Sequence, residues 1–352
     1  MRVAFGGYRA GFWWYMAAGL ALLLTFAGIG LFRGSVPLDG SDVLAVLARH
    51  LLPGEPGSAD PRVDAIVWSL RAPRVVVAAM VGGCLALAGA QMQGLFRNPL
   101  ASPGIVGTST GAATGAVFAL TFGLAGGFLL AAPLFAVAGA ILSLLIVTRI
   151  ATRDGYTPVT TLLLAGVALN ALLAAVNSWL IARSWEQYEA ARRIAYWMMG
   201  GVTDRGWVHA GMLLPGMVIG CAIAVWFARD LDLLLEGEEV AASLGVDIER
   251  AKRAVLWSAA ILTGSAVAVS GVVGFVGLVV PHLVRLLLGP VHRRLLPAAF
   301  LTGAWFVVGA DLLARTVAAP QEVFLGVVTA FVGAPFFLFL LVRHEGEVAV
   351  SR

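Results

Sequence analysis

Charged residues are scarce in this 352-residue sequence. Only 12% of the residues are Asp, Glu, Lys or Arg, whereas 60% are hydrophobic. Because soluble domains usually carry about 25% charged residues, the composition argues against a soluble protein, and the apolar excess excludes an intrinsically disordered one. The 24 basic and 20 acidic residues are spread thinly rather than gathered into a basic stripe, so nucleic acid is not an expected partner.

Lysine is nearly absent, and Lys252 is the only one. A phosphate-binding loop of the Walker A type needs Gly-Lys-Ser/Thr, but Lys252 is followed by Arg253. The chain therefore lacks that ATP-binding motif. The two cysteines, Cys84 and Cys221, lie in separate apolar runs without metal-ligand spacing, so neither a metal site nor a disulfide framework is expected.

Long uncharged runs dominate what is present. A bilayer-spanning helix needs about 20 mostly apolar residues, and the runs are continuous rather than alternating, which favours helices. We expect residues 1–352 to form one all-α polytopic membrane domain with about ten transmembrane helices. The predicted spans are 12–32, 75–96, two within 98–148, 155–182, 206–228, 254–281, a short one at 282–288, one that begins at 295–310, and 323–342.

Basic residues of short loops indicate the orientation, because they favour the cytoplasmic side. Ten spans put both termini on one side of the membrane, and slightly more basic residues fall on that side than on the other. We therefore expect both termini on the cytoplasmic side of the membrane.

Glycine is abundant, with 42 residues, whereas ionisable residues within the spans are few. Close helix packing is the simpler explanation for these glycines, and the alternative is that helices bend or end at the glycine-dense segments 107–115 and 271–281. Asp311 and Arg315 are four residues apart, so they share a helix face and are able to pair. The scarcity of intramembrane carboxylates argues against an ion-gradient-driven carrier, which is the alternative from another class. No cluster typical of a membrane enzyme is visible, and no catalytic residue is predicted.

Two polar segments have the character of docking surfaces. Segment 229–253, on the inner side, places acidic residues before a short alanine-rich helical stretch, and Gly245 fits the end of that helix. The Arg71-Ala72-Pro73-Arg74 sequence lies at the outer mouth of the second span, where two arginines beside a proline suit an acidic partner. Solvated loops and arginines that reach the lipid headgroups are the simpler alternatives for these two segments.

Several motifs, in order along the chain, resemble those of the FecCD-type family, the permease subunits of type II ABC importers for vitamin B12, ferric siderophores and haem. The resemblance extends from the Arg71 region to Leu341. The motifs are Arg-Ala-Pro-Arg at 71–74, Gly-Ala-Gln-Met-Gln-Gly-Leu-Phe-Arg-Asn-Pro-Leu-Ala-Ser-Pro at 89–103, Gly-Phe-Val-Gly-Leu-Val-Val-Pro-His-Leu-Val-Arg at 274–285, His-Arg at 292–293, Ala-Asp at 310–311, Ala-Arg at 314–315, Gly-Val-Val-Thr-Ala at 326–330 and Gly-Ala-Pro-Phe-Phe at 333–337.

The resemblance implies a transport subunit that is not an enzyme and binds no cofactor. It implies a homodimer in the lipid bilayer of a bacterial inner membrane, two copies of a separate ATPase that uses ATP and Mg²⁺, and a periplasmic substrate-binding protein. The residues that match the family's outer docking arginines are Arg71, Arg74 and Arg315. The residues that match its ATPase-coupling loop are Glu238, Glu239, Ala242, Leu244 and Gly245. One departure is Gln-Glu-Val-Phe at 321–324, where the family usually has Glu-Leu-Pro.

The substrate is the least determined feature. The expected cargo is a large iron chelate, with haem first, and a ferric siderophore or cobalamin as the alternatives. Arg183, Arg192 and Arg193 lie in an outer segment, and arginine suits the two propionates of haem. These arginines are therefore predicted to line the substrate pathway, although contact with lipid or with the binding protein would explain them equally well.

Overall fold

The computed structural model describes residues 5–34, 36–52, 60–124, 130–185 and 188–350, and no β-strand occurs among them. A π-helix covers Ala65–Arg71, and a 3-10 helix covers Pro103–Val106. The α-helices in chain order are α1 (Phe5–Phe32), α2 (Gly40–Leu51), α3 (Pro61–Asp64), α4 (Ala72–Leu95), α5 (Thr108–Thr121), α6 (Ala131–Ala151), α7 (Val159–Ser184), α8 (Tyr188–Met199), α9 (Trp207–Trp226), α10 (Ala228–Leu235), α11 (Glu238–Ser243), α12 (Ile248–Ser270), α13 (Val276–Leu288), α14 (His292–Thr316) and α15 (Leu325–Val350).

Seven of the helical segments in the described residues are long and apolar enough to cross a membrane. They are α1, the continuous stretch Pro61–Leu95 that contains α4, and α6, α7, α9, α12 and α14. Helices α5 and α13 are shorter, and α15 begins with the apolar stretch Leu325–Leu338. Each of the ten predicted spans therefore coincides with a helix, and the all-helical membrane fold is confirmed.

Helices α4, α12 and α14 form the centre of the bundle, and most of their residues are buried. Helices α4 and α14 approach very closely, since a methyl group on Gly82 would overlap the carbonyl oxygen of Gly303. Small residues permit this contact between helix backbones. By contrast, α1, α7 and α9 lie at the periphery and expose large side chains such as Trp14, Leu164 and Trp226, a surface that suits lipid rather than water.

The boundary between the seventh and eighth predicted spans was wrong. The break falls at residues 271–275 rather than after Pro281, because Gly271 and Phe275 adopt positive φ angles of 66° and 65°, which an α-helix does not allow. Pro281 lies inside α13. Because proline has no N–H, Pro281 cannot donate the helical hydrogen bond to the carbonyl of Gly277. That carbonyl faces Gly89 of α4. The expected helix break in segment 271–281 is confirmed. In the other glycine-dense segment, 107–115, α5 begins directly after Gly107.

The second predicted span begins too late. The helical segment starts at Pro61 and continues through the π-helix into α4, so Arg71 and Arg74 lie within a continuous helix rather than at its entrance. Pro73 falls in the first turn of α4, directly after the π-helical turns, a position where the missing N–H of proline is tolerated.

Candidate functional site

Two polar sites lie at opposite ends of the antiparallel α4–α14 pair. At one end Arg74 of α4 contacts Asp311 of α14. At the other end Gly94 of α4 faces the ring of His292, the first residue of α14. Twenty helical residues separate Arg74 from Gly94, which corresponds to roughly 30 Å along the helix axis. The first site holds the predicted docking arginines, and the second adjoins the predicted coupling segment.

Arg74 is the centre of the first site. Its Nε donates to both carboxylate oxygens of Asp311 at 3.1 Å, and its Nη2 donates to Asp311 Oδ1 at 2.8 Å. The same guanidinium donates to the two carboxylate oxygens of Glu322, each at 3.0 Å. Such forked, charge-assisted bonds fix the geometry of both partners. Arg74 therefore joins α4 to α14 and to the segment that precedes α15.

Arg315 and Asp311 form the ion pair expected from their spacing, with 3.3 Å between Nη2 and Oδ2. This prediction is confirmed. The Arg315 side chain is buried, and its Nη1 also donates to the carbonyl of Gly30 at 3.1 Å. Arg315 therefore binds the last turn of α1 to α14.

Arg71 closes the end of α1. Its guanidinium donates to the carbonyl oxygens of Leu31 (2.8 Å), Phe32 (3.1 Å) and Val36. Because the last carbonyls of a helix lack partners within the helix, a cation there is doubly favourable. We name Arg71, Arg74, Asp311, Arg315 and Glu322 the arginine cluster. It brings together the three predicted docking arginines, whose side chains are all largely buried, with 12% of Arg74 and 6% of Arg315 exposed. Their role in docking stays a prediction.

Glu322 is a member of this cluster that the sequence did not reveal. It lies in the segment where the chain departs from the family pattern, and Thr203 donates to its Oε2 at 2.9 Å. Partial burial raises the pKa of Glu322, but the hydrogen bonds and charge of Arg74, with the bond from Thr203, outweigh burial and place that pKa below its ordinary value. Glu322 is therefore a charged partner of Arg74 at neutral pH.

The predicted coupling residues separate into two groups around α11. Glu239, Ala242, Leu244 and Gly245 are exposed, whereas Glu238 is half-buried and contacts Lys252. Gly245 has a φ of 85° directly after the helix, so the expectation that it fits a helix end is confirmed. These four exposed residues form a surface that is accessible to another protein, and we name it the α11 edge. Glu238 faces the bundle instead.

A carboxylate–histidine contact fastens the preceding helix, α10, and the sequence did not reveal it. Asp232 Oδ1 accepts hydrogen bonds from the backbone N–H of His292 and lies 2.7 Å from Nδ1 of the same residue. His292 is fully buried at the start of α14. An acidic side chain is stabilised at a helix N-terminus, so this contact joins α10 to α14.

The three predicted pathway arginines lie apart from the arginine cluster. Arg183 is near the end of α7, and Arg192 and Arg193 are on α8, all with exposed side chains. The guanidinium of Arg183 lies 6.0 Å from the ring centre of Phe122, and that of Arg192 lies 5.9 Å from that of Tyr196. Within the described residues, no group of three or more His, Cys, Asp and Glu side chains is arranged to hold a metal ion.

Comparison with known proteins shows the family to which this chain belongs. Residues 20–343 match the model of the FecCD transport family. A cobalamin import system permease protein of Halobacterium salinarum is 48% identical over 280 residues, which cover 80% of this chain and 74% of that protein. A hemin transport system permease protein of Yersinia pestis is 45% identical over 288 residues, 80% of this chain and 84% of that one.

Two further similarities, to an iron-citrate permease and to a solved transporter structure, also cover most of the chain. An Fe(3+) dicitrate transport system permease protein of Escherichia coli is 38% identical over 278 residues, covering 79% of this chain and 85% of that protein. The solved structure of a metal-chelate type ABC transporter in an inward-facing conformation superposes with a TM-score of 0.80 at 30% identity, covering 93% of this chain and 98% of that chain.

Proposed function

The chain belongs to the FecCD transport family, so it is the membrane-spanning permease subunit of a type II ABC importer rather than an enzyme, and we propose that its cargo is haem. The large chelate would pass from the periplasm to the cytoplasm, driven by ATP that a separate chain hydrolyses. The observation that carries the importer assignment is the match of the family model to residues 20–343. The geometry agrees with it, because a docking-type cluster and an exposed coupling edge lie at opposite ends of the bundle.

The proposed assembly contains two copies of this chain, two ATPase subunits with their ATP and Mg²⁺, and one periplasmic binding protein. Both termini and the α11 edge would face the cytoplasm, and the arginine cluster would face the periplasm. The exposed residues Glu239, Ala242, Leu244 and Gly245 support an ATPase contact there. A symmetric dimer would present the arginine cluster twice, which fits a binding protein with two acidic lobes.

Haem is supported by chemistry and by similarity. The Yersinia pestis relative is a hemin permease, and exposed guanidinium groups are supplied by Arg183 near the end of α7 and by Arg192 and Arg193 in the middle of α8. Guanidinium groups bind carboxylates in a forked geometry, and haem carries two propionates. Haem would be a transported substrate here and not a resident cofactor.

Cobalamin is the second proposed cargo. The Halobacterium salinarum relative, at 48% identity, is a cobalamin permease, so similarity favours this substrate as much as haem. A ferric siderophore or ferric citrate is a third possibility of the same class, in keeping with the Escherichia coli relative. All are large chelates that a binding protein would select before transport.

In the proposed cycle, ATP binding draws the two ATPases together and moves α10 and α11. That displacement passes to the spans near the dimer axis and opens the pathway to the docked binding protein, and reversal opens it inward. Coupling requires a two-state element that both ends bias. The glycine-rich breaks at Gly107 and at residues 271–275 are the proposed flexible points.

Uptake into proteoliposomes tests the proposal. The chain and its ATPase would be reconstituted with ATP inside and the binding protein outside, and haem, a ferric siderophore and cobalamin would be compared. ATP-dependent uptake of haem that is lost without the binding protein is the expected result. Uptake of cobalamin alone would reassign the cargo, whereas uptake driven by an ion gradient without ATP would overturn the importer mechanism.

A further inference from the structure

Lys252 occupies an enclosed position in the first turns of α12, with no exposed surface. A charged ammonium group has three donors and no acceptor, and three oxygens surround it. These are the carbonyl of Thr157 at 2.9 Å, Glu238 Oε2 at 2.9 Å and Glu249 Oε1 at 3.1 Å. Every donor therefore has an acceptor, and the charge is buried without an unmet hydrogen bond.

Three separate segments meet at this ammonium group. Glu238 begins α11, Glu249 lies in the first turn of α12, and Thr157 belongs to the loop between α6 and α7. The N–H of Thr157 also donates to Glu249 Oε1 at 3.2 Å, and the Tyr156 ring centre lies 4.7 Å from Lys252 Nζ, within the range of a cation–π contact. We name Tyr156, Thr157, Glu238, Glu249 and Lys252 the lysine knot.

The lysine knot contacts only the side of α11 that faces the helix bundle. Glu238 and Ala241 face the bundle, whereas Glu239 and Ala242 are exposed. A helix of six residues is not stable by itself in water, and α11 buries little apolar surface. The position of α11 on the bundle therefore depends strongly on its bond to Lys252.

We propose that Lys252 is a positioning residue for transport, whose ammonium fastens α11 to α12 and to the α6–α7 loop so that the three move as one body. The inference rests on the proposed function, in which an ATPase acts on the exposed edge of α11. Without the ammonium, Glu238 and Glu249 face each other as like charges, and α11 is released. ATP hydrolysis then moves α11 without moving the membrane spans.

The test measures ATP hydrolysis and substrate uptake in the same proteoliposomes, with the ATPase and binding protein present. Lys252→Met should keep hydrolysis within about twofold of wild type while uptake per ATP falls by about tenfold or more, the usual size of an allosteric coupling. Arg149→Met is the matched control. Arg149 is a basic residue in the last turn of α6, just before the loop that contacts Lys252, and its side chain is exposed. This variant should change neither rate.

A second variant and a second readout separate coupling from folding. Glu238→Gln leaves the Lys252–Glu249 pair in place and weakens only the link to α11, so uptake per ATP should again fall. Hydrogen exchange in the assembled complex should quicken at 238–243 in both variants, while α4 and α14 stay protected. If Lys252→Met proves unable to fold, Glu238→Gln decides by the same two measurements.

The outcomes distinguish the two proposals. Wild-type uptake per ATP in Glu238→Gln and in folded Lys252→Met would overturn the role of the lysine knot and leave the importer function standing. If the wild-type complex shows no ATP-driven uptake of any of the three chelates, the proposed function fails and the inference fails with it.

Discussion

A single guanidinium group organises the arginine cluster. Arg74 satisfies two carboxylates that are 237 and 248 residues away in sequence, and Arg71 and Arg315 use their own donors on the carbonyls that end α1. Ion pairs at exposed positions contribute little to stability, whereas forked and partly buried pairs contribute more. The cluster is therefore both a structural joint between α1, α4 and α14 and the candidate docking surface.

Acidification should weaken the Glu322 contact. The pKa of Glu322 in the folded protein lies below its ordinary value of 4.5, so its stabilising effect is complete above about pH 4.5 and is lost as pH falls through the lower folded-state pKa. Since a third of the side chain is exposed, the contribution is below about 1 kcal/mol. Thermal unfolding of wild type and Glu322→Gln between about pH 7 and about pH 3 should show a difference that shrinks on acidification. A difference that stays constant would contradict the assignment.

At the scale of helices, close backbone contact between α4 and α14 holds the two helices side by side, with one polar site at each end of the pair. Gly82 and Gly303 face each other with no room for a β-carbon on either. The coupling elements are attached differently, since α10 is bound through Asp232 to α14 and α11 through Glu238 to α12. The central helices α14 and α12 therefore carry the short helices α10 and α11 through polar contacts, and the buried Leu231 and Leu234 also pack α10 into the core.

Adding one methyl group at Gly82 should separate α4 from α14. Gly82→Ala is expected to lower the free energy of unfolding by about 1–3 kcal/mol, the usual cost of overpacking. Gly11→Ala is the matched control, because nothing lies within 4 Å of the β-carbon that it would add. Thermal unfolding in detergent would compare the two variants, and equal stability of both would show that the α4–α14 contact yields easily.

The exposed edge of α11 should be sensitive to charge and shape without being needed for folding. Glu239→Arg reverses an exposed charge, and Gly245→Val strains a residue whose φ is 85°, at a cost of about 1–2 kcal/mol. We expect both variants to fold, to bind the ATPase poorly and to lose ATP-driven uptake. Normal uptake by either variant would remove this edge from the coupling surface.

At the scale of the whole molecule, function requires that the two ends of the bundle respond to different partners. The arginine cluster contains three arginines and two carboxylates, so it keeps an excess of positive charge toward a proposed acidic partner. At the other end of the bundle, the exposed Glu239 and Glu236 line one cavity beside α11. These opposite polarities fit the proposed assembly, with the binding protein at one end and the ATPase at the other.

Docking of the binding protein should follow the charge of the arginine cluster. Arg71→Glu and Arg74→Glu are expected to weaken its affinity, most strongly at low salt, because screening shortens electrostatic reach to about 10 Å at 0.1 M salt. Glu322→Gln is the control with the opposite sign, since it frees donors of Arg74 and should leave docking equal or tighter. Affinities measured over a salt series would decide, and unchanged affinity in both arginine variants would remove the cluster from the docking surface.

Much of the candidate site could be predicted from the sequence where the information is local. The Asp311–Arg315 pair follows from helical spacing, and the end of α11 follows from Gly245. The resemblance of the motifs grouped Arg71, Arg74 and Arg315, which the structure brings together, and it assigned the coupling role of the α11 segment, which stays a prediction. The contacts of Glu322, Asp232 and Lys252 were not predicted, because each joins segments that are distant in sequence, or a buried group to a loop.

The sequence by itself determined that the protein lies in a membrane and consists of helices. Scarce charge and long apolar runs require membrane helices, since backbone groups in lipid must be hydrogen-bonded within the segment. Tertiary structure alone decided how those helices are joined. The inward direction of Glu238, the burial of Lys252 and the contact of Arg74 with Glu322 depend on which neighbours the helices meet. Hydropathy is a property of each segment, whereas contacts between segments depend on the packing of the whole bundle.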